Sequence, residues 1–479
     1  MQQRTQSEMI QRLYAPSRET SSFYLSIRVM LLLACLTAFS GGNVFAATYY
    51  VATNGNDNNS GTSLGSAWRT MTHAAAMMSP GDTTLVQDGT YEENIVRFST
   101  PGTASNPITL KAQNRREAIL SSRSSGSCQP AINIHASYIV IEGIRIQTSP
   151  NASPCGVYSA ANLSIRVWHD ESVHPELGGA QSSGYVGSII RDVQVDPNAD
   201  RCCAIKVSQD YAIVENSLLF DELEGMNSRG NIFRNNVIYH GGAYGNYISC
   251  KGGCRSFMMY GNIVHITTGK TPASWALGMS CGQVSGRQYD YDASTSIESY
   301  NCAAINNVII NDTSSPSVRG LMSQGSDISL FSNNILVNGI YYANGNSGGG
   351  RPPSNTILKN NIFLCNGQQA LGGGTINGYF DVDYNLFHNC SGAPSQVHPV
   401  NGDPKFVKPT SDWHLQPGSP AIGTGTPVTM TDYYGESMDV SKDWDGLTRT
   451  VPWSLGIYRG FSSSADIAPP LPPTNVRVQ

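Results

Sequence analysis

At 479 residues the chain has the length of about three ordinary domains, yet only 14% of it is charged and it carries 48 glycines. Sparse charge with abundant Gly, Asn, Ser and Thr argues against surface-charged helices and suits short strands joined by tight turns. A formal net charge of −5 excludes a general electrostatic attraction to nucleic acid or to an anionic membrane.

In chain order, Arg28 precedes the apolar run Val29 to Phe39, and Val44-Phe-Ala46 supplies small residues at the spacing of a cleavage site. Residues 1–46 therefore read as an export signal too short to span a membrane, and the mature protein is expected outside the cytoplasm, in the periplasm, at the cell surface or beyond it. Residues 47–106 read as an N-terminal cap and first strands. Within them Ser66 to Met78 is amphipathic, with Trp68, Met71, Ala75 and Met78 on one side, and predicts a helix that covers the open end of a strand stack.

The centre repeats an Asn followed by a short apolar strand, at Asn216, Asn236, Asn262, Asn307, Asn334, Asn361 and Asn385. The steps are 20, 26, 45, 27, 27 and 24 residues, the 45 readable as two coils, and Asp192 takes the same slot one step earlier. A period in the twenties is too short for a propeller blade and fits a β-solenoid coil. The Asn is expected to do two jobs there: to stack its amide on the coils above and below, and to adopt the left-handed turn conformation. Residues 107–425 thus read as one parallel β-helix, 426–460 as a closing segment, and 461–479 as a Pro/Ser-rich linker or the start of a truncated further domain.

Eleven cysteines leave ten beyond Cys35, an even number that suits an oxidising compartment. Cys128 and Cys155, Cys281 and Cys302, and Cys365 and Cys390 are each about one coil apart and could staple neighbouring coils; Cys250 and Cys254 could close a local loop.

Tyr49-Tyr-Val-Ala-Thr-Asn-Gly-Asn-Asp57, Ala67-Trp-Arg-Thr70 and Pro80-Gly-Asp-Thr83 resemble the opening of secreted bacterial proteins of the pectate-lyase-like superfamily. Asp403-Pro-Lys-Phe406 and His414-Leu-Gln-Pro-Gly-Ser-Pro-Ala421, with Asp445, Arg449 and Gly456, resemble its closing segment. The resemblance implies an all-β, right-handed parallel β-helix with an N-terminal capping helix, acting on a polysaccharide. It does not choose among lyases, hydrolases, epimerases and non-catalytic members.

Residues one coil apart stack at about 4.8 Å, so equivalent slots form columns. Aligning the segments that end before Gly230, Gly252, Gly282 and Gly325 predicts a column of Arg229, Lys251, Cys281 and Gln324, with Arg229 and Lys251 as outward neighbours. Counting six and eight residues on from Asn216 and from Asp192 predicts Asn198 stacked on Glu222 and Asp200 on Glu224, an oxygen-rich cluster suited to Ca²⁺. Glu222-Leu-Glu224, Arg229, Lys251 and Asn198 resemble the site of chondroitinase B and related alginate lyases, with Lys and Arg exchanged. The resemblance implies a Ca²⁺-dependent lyase of an acidic, uronate-containing polysaccharide, in which Lys251 is the base because burial can lower its pKa, and Arg229 is the clamp. Beside it stand plainer readings: solvated turn charges at Glu222 and Glu224, structural hydrogen bonding by His240, His265 and His388, a hydrolase pair at Asp381 and Asp383, and a monomeric carbohydrate-binding protein without catalysis.

Overall fold

The computed structural model describes residues 46–122, 130–149, 163–168, 184–197, 203–239, 246–267, 276–283, 297–313, 315, 318–343, 352–374, 376–432 and 435–460. Three long parallel sheets dominate, of thirteen strands (sheet 1), eleven (sheet 2) and ten (sheet 3). The chain visits them in turn, so ladder neighbours within a sheet lie one coil apart, and the whole is a right-handed parallel β-helix. One coil shows the logic: Ile213–Glu215 belongs to sheet 1, Leu218–Phe220 to sheet 2 and Glu222–Met226 to sheet 3. Strict alternation turns Val214, Leu219 and Leu223 inward, where none is exposed. They stack on Phe233, Ile238 and Ile248 of the next coil.

The corner between sheets 1 and 2 explains the repeat. Asn236, Asn262, Asn307, Asn334, Asn361 and Asn385 are fully buried, and each of the first five donates its Nδ2 to the next one's Oδ1 at 2.9–3.1 Å. Gln396 closes the row, its Oε1 accepting from Asn385 Nδ2 at 3.2 Å. The left-handed conformation is taken by the preceding residue instead, at Asn235, Gly261, Asn306, Asn333, Asn360 and Tyr384. The two jobs are therefore divided between adjacent residues. Asn216 and Asp192 fall in the left-handed slot, with φ of 54° and 56°, and Ser217 occupies the first rung by donating its N–H to Asn236 Oδ1. The 45-residue step is a single coil with long connections, because Ile263–Ile266 pairs directly with Val308–Asn311.

The capping helix is shorter than expected, Met71–Met77, because Thr70 caps it by accepting from the His73 N–H. Trp68, Met71, Ala75 and Met78 are all buried against the first coils. At the other end, Val400, Phe406, Trp413, Leu415 and Ile457 cover Ile335, Ile362 and Leu386. Arg449 ties this segment down: its buried guanidinium donates to the carbonyls of Ser454, Gly456, Ile457 and Tyr458 and to Asn306 Oδ1 at 2.7 Å. Disulfides join Cys281 to Cys302 and Cys365 to Cys390, as the spacing suggested. Cys128 and Cys155 lie outside the described residues, and Cys250 and Cys254 are both thiols.

Candidate active site

Sheet 3 carries a file of outward side chains read off its ladder: Arg97, Asn133, Arg166, Lys206, Glu224, Ser249, Ser280, Met322 and Tyr342. Glu222 and Glu224 point outward because Leu223 packs inside. Gly225 follows because a Cβ there would lie 2.2 Å from the Phe257 ring. Although outward, both carboxylates are almost fully buried, covered by their neighbours.

Two lysines close over them. Lys251 Nζ lies 3.0 Å from Glu224 Oε2 and 3.7 Å from Glu222 Oε1, and Lys206 Nζ lies 2.6 Å from Glu224 Oε1. Ser249 donates its hydroxyl to Glu222 Oε1 at 2.6 Å, and Cys203 Sγ stands 3.5 Å from Glu224 Oε2. Burying the two carboxylates costs several kcal/mol per ion before pairing with the lysines offsets it, so this cluster is not an ordinary surface feature. Burial pushes Glu222 upward, and Lys251 only partly opposes it. Burial also acts to raise Glu224, but Lys251 and Lys206 outweigh it and hold that carboxyl low. For Lys251, burial acts to lower the value; Glu222 and Glu224 more than reverse it, and the ammonium is held well above the lysine range. Desolvation alone therefore does not make Lys251 a base, contrary to the expectation from sequence.

The predicted neighbours are partly rearranged. Glu222, Glu224 and Lys251 do converge. Arg229 is not stacked on Lys251: its ladder neighbour is Arg255, and its Nε lies 2.8 Å from the buried Asp210 carboxylate. Lys251 instead pairs with Met226, and Cys281 pairs with Cys250 and Ser323, so the column read from the glycines has no counterpart. Aligning on Gly failed because Gly252 directly follows its strand, whereas Gly230 stands three residues beyond Asn227. Asn198 and Asp200 lie outside the described residues, and the rungs beside Glu222 and Glu224 belong to Cys203 and Lys206.

Lys206 was missed for a similar reason. Between sheets 2 and 3 the chain runs from Val195 to Cys203 on one coil, but only across Asp221 on the next. Counting from the corner therefore slipped, although Ile205 and Val207 flanking Lys206 carried the alternation that turns it outward.

Cys203, Glu222 and Glu224 offer atoms within 4.8 Å of one another, so an acidic site exists that could face a cation. Among the described residues the donor set fits Ca²⁺ poorly: Ca²⁺ seeks six to eight oxygens, one of these three ligands is a thiol, and ammonium groups already hold Glu224 on both oxygens. The other candidates are committed elsewhere. Asp381 pairs with Lys359 at 2.7 Å and Asp383 with His398 at 2.8 Å. His265 bonds Asp312 at 3.0 Å while stacked on Tyr239, and His388 bonds the Gly402 carbonyl at 3.1 Å. His240 lies outside the described residues.

Fold and site together define a right-handed parallel β-helix protein with a buried lysine–carboxylate centre on one face. Residues 49–171 match the family described as Pel9A-like, right handed beta helix region. Among curated proteins, the chain is 27% identical over 200 residues to the uncharacterized protein YwoF of Bacillus subtilis (strain 168); the match spans 39% of this chain and 41% of that protein. Among solved structures, it resembles the complex of XylC with xylose at a TM-score of 0.50 and 12% identity, covering 86% of this chain and 98% of that one. It also resembles the pectate lyase Pel9A at 0.49 and 14% identity, covering 87% and 96%. Identities this low speak to the fold.

Proposed function

We propose that this is an exported protein acting on an acidic polysaccharide, and that it cleaves a uronate-containing chain by β-elimination at the Lys206–Lys251–Glu222–Glu224 centre. The observation carrying the proposal is that centre itself: two carboxylates buried beneath two partly exposed lysines on an outward face, where the fold requires no charge. The two disulfides fit an oxidising location. Arg97, Arg166 and Lys206 in one file, a coil or two apart, suit a polymer bearing a carboxylate on each sugar.

In this reading Lys206, partly exposed, takes the uronate carboxylate and makes the neighbouring C–H more acidic. Lys251 must first lose a proton, and Glu222, 3.7 Å away with its proton affinity raised by burial, is placed to receive it. Neutral Lys251 then removes the C–H proton, the electron pair forms the new C=C bond, and the glycosidic C–O bond breaks. The proton on Lys251 passes to the departing oxygen. Lys206 thus replaces Arg229 as the clamp. Calcium, expected from the sequence, would among the described residues compete with the ammonium groups for Glu224.

The test is incubation of the mature protein with pectate, alginate and chondroitin-type polymers, with Ca²⁺ or with a chelator, following unsaturated-uronate absorbance. Absorbance that grows in both arms and disappears in Lys251→Met supports the proposal; loss on chelation refutes the metal-free form. The strong hold of both carboxylates on Lys251 favours a second reading, carbohydrate binding without cleavage. Binding to an acidic polymer with no absorbance on any of the three would establish it.

A further inference from the structure

Cys250 and Cys254 face the interior with no exposed surface, both are thiols, and Cys254 lies close enough to act on the Cys250 thiol. Between them lie only Lys251, Gly252 and Gly253. The two glycines turn the chain with φ of +67° and +85°. Glu298 holds both of their N–H groups, through its carboxylate to Gly252 and its carbonyl to Gly253, each at 2.8 Å. Cys254 Sγ donates to the Lys251 carbonyl at 3.1 Å. The thiols, the turn and the lysine are therefore one mechanical unit. Cys250 is also the ladder neighbour of Cys281, whose sulfur is bonded to Cys302. This part of the interior thus already holds a disulfide.

We propose that Cys250 and Cys254 form a redox site: a dithiol that closes into a disulfide across Lys251 in an oxidising compartment, leaving Cys281–Cys302 intact. The reaction is thiol–disulfide exchange with a small-molecule or protein disulfide. The two thiols lose two protons and two electrons, one S–S bond forms, and the oxidant's S–S bond is reduced to two thiols. Closing a five-residue loop costs little chain entropy, whereas the alternative Cys250–Cys281 bond would require breaking an existing one. Burial pushes the Cys250 thiol up, and Cys254 pushes it further, which makes the folded dithiol unreactive. Closure therefore belongs to folding, before the coil is covered, or to local opening of that coil. Once closed, the bond fixes the backbone on both sides of Lys251. That consequence rests on the proposed role of Lys251; the bond itself does not.

The test uses the full mature protein from an oxidising compartment, purified without reductant, denatured in N-ethylmaleimide and mapped as non-reduced peptides. The expected result is Cys250 joined to Cys254, with Cys281 still joined to Cys302. Alkylation of both Cys250 and Cys254, or a bond from Cys250 to Cys281, overturns the proposal, and neither result depends on any lyase activity. The link to Lys251 is read separately through Cys254→Ser. Dithiothreitol should lower turnover of the wild type several-fold and leave the variant unaffected; an equal response in both would disconnect the dithiol from the site.

Discussion

Asn334→Ala should be among the most damaging single changes in the coil interior. Asn334 Oδ1 accepts from the N–H and the Nδ2 of Asn307, both at 3.0 Å, and its own Nδ2 donates to the Ala304 carbonyl at 2.9 Å. Truncation strands three buried groups at once: the Asn307 N–H, one Asn307 amide hydrogen and the Ala304 carbonyl. Each unsatisfied buried group costs about 1–3 kcal/mol, so the loss should total about 3–6 kcal/mol after partial relaxation. Asn216→Gly is the matched control. Asn216 sits exposed in the left-handed slot with φ of 54°, outside the amide row, and glycine adopts that conformation freely, so its stability should stay within about 0.5 kcal/mol of wild type. Urea unfolding at 25 °C, followed by far-ultraviolet circular dichroism, measures both. Equal losses in the two variants, or a loss below about 1 kcal/mol in Asn334→Ala, would refute the division of labour at this corner.

Lys251→Met should destabilise by about 3–5 kcal/mol because Glu224 keeps its burial and loses a partner, and adding Glu224→Gln should recover part of that in a double-mutant cycle. His414 is flanked by Asp445, 3.9 Å from Nε2, and Asp412, 2.6 Å from Nδ1, and these carboxylates outweigh burial and raise its pKa. A raised folded value means the contribution is complete below the ordinary histidine value of 6.5 and fades as pH rises through the folded one. The gap in urea midpoint between wild type and His414→Gln should accordingly shrink as the pH rises above 6.5; a gap that widens with pH contradicts the assignment. On sheet 1, burial acts to raise Glu142, but Lys111 at 2.8 Å and Arg191 at 2.7 Å outweigh it and lower its pKa. Its contribution is therefore present above the ordinary glutamate value and lost as acid carries the pH down through the depressed one. Glu142→Gln should match wild type in acid and fall below it at neutral pH in the same urea assay.

Solenoid, period and end-capping were legible because they rest on local chemistry repeated many times. Alternation in Ile213-Val-Glu-Asn-Ser-Leu-Leu-Phe220 and the buried asparagines need only neighbours in sequence to be read. Glu222, Glu224 and Lys251 were legible as a group because one short strand carries the first two and the next coil carries the third. Lys206, the true partner of Arg229 and the rung of Asn216 were not. The first two depend on how many residues the chain spends at a corner, and that number changes from coil to coil: seven between Val195 and Cys203, one between Phe220 and Glu222. The third was hidden because Asn216 fills the left-handed slot of a two-residue corner whose rung is Ser217. By itself, the sequence determined that the chain winds, with what pitch, and which residues face inward, because burial and turn chemistry act locally. Only the tertiary structure decided which charge meets which, because ladder register is settled by the packing of whole strands, and a two-residue slip exchanges a side chain's neighbours while keeping the inward and outward alternation that was read.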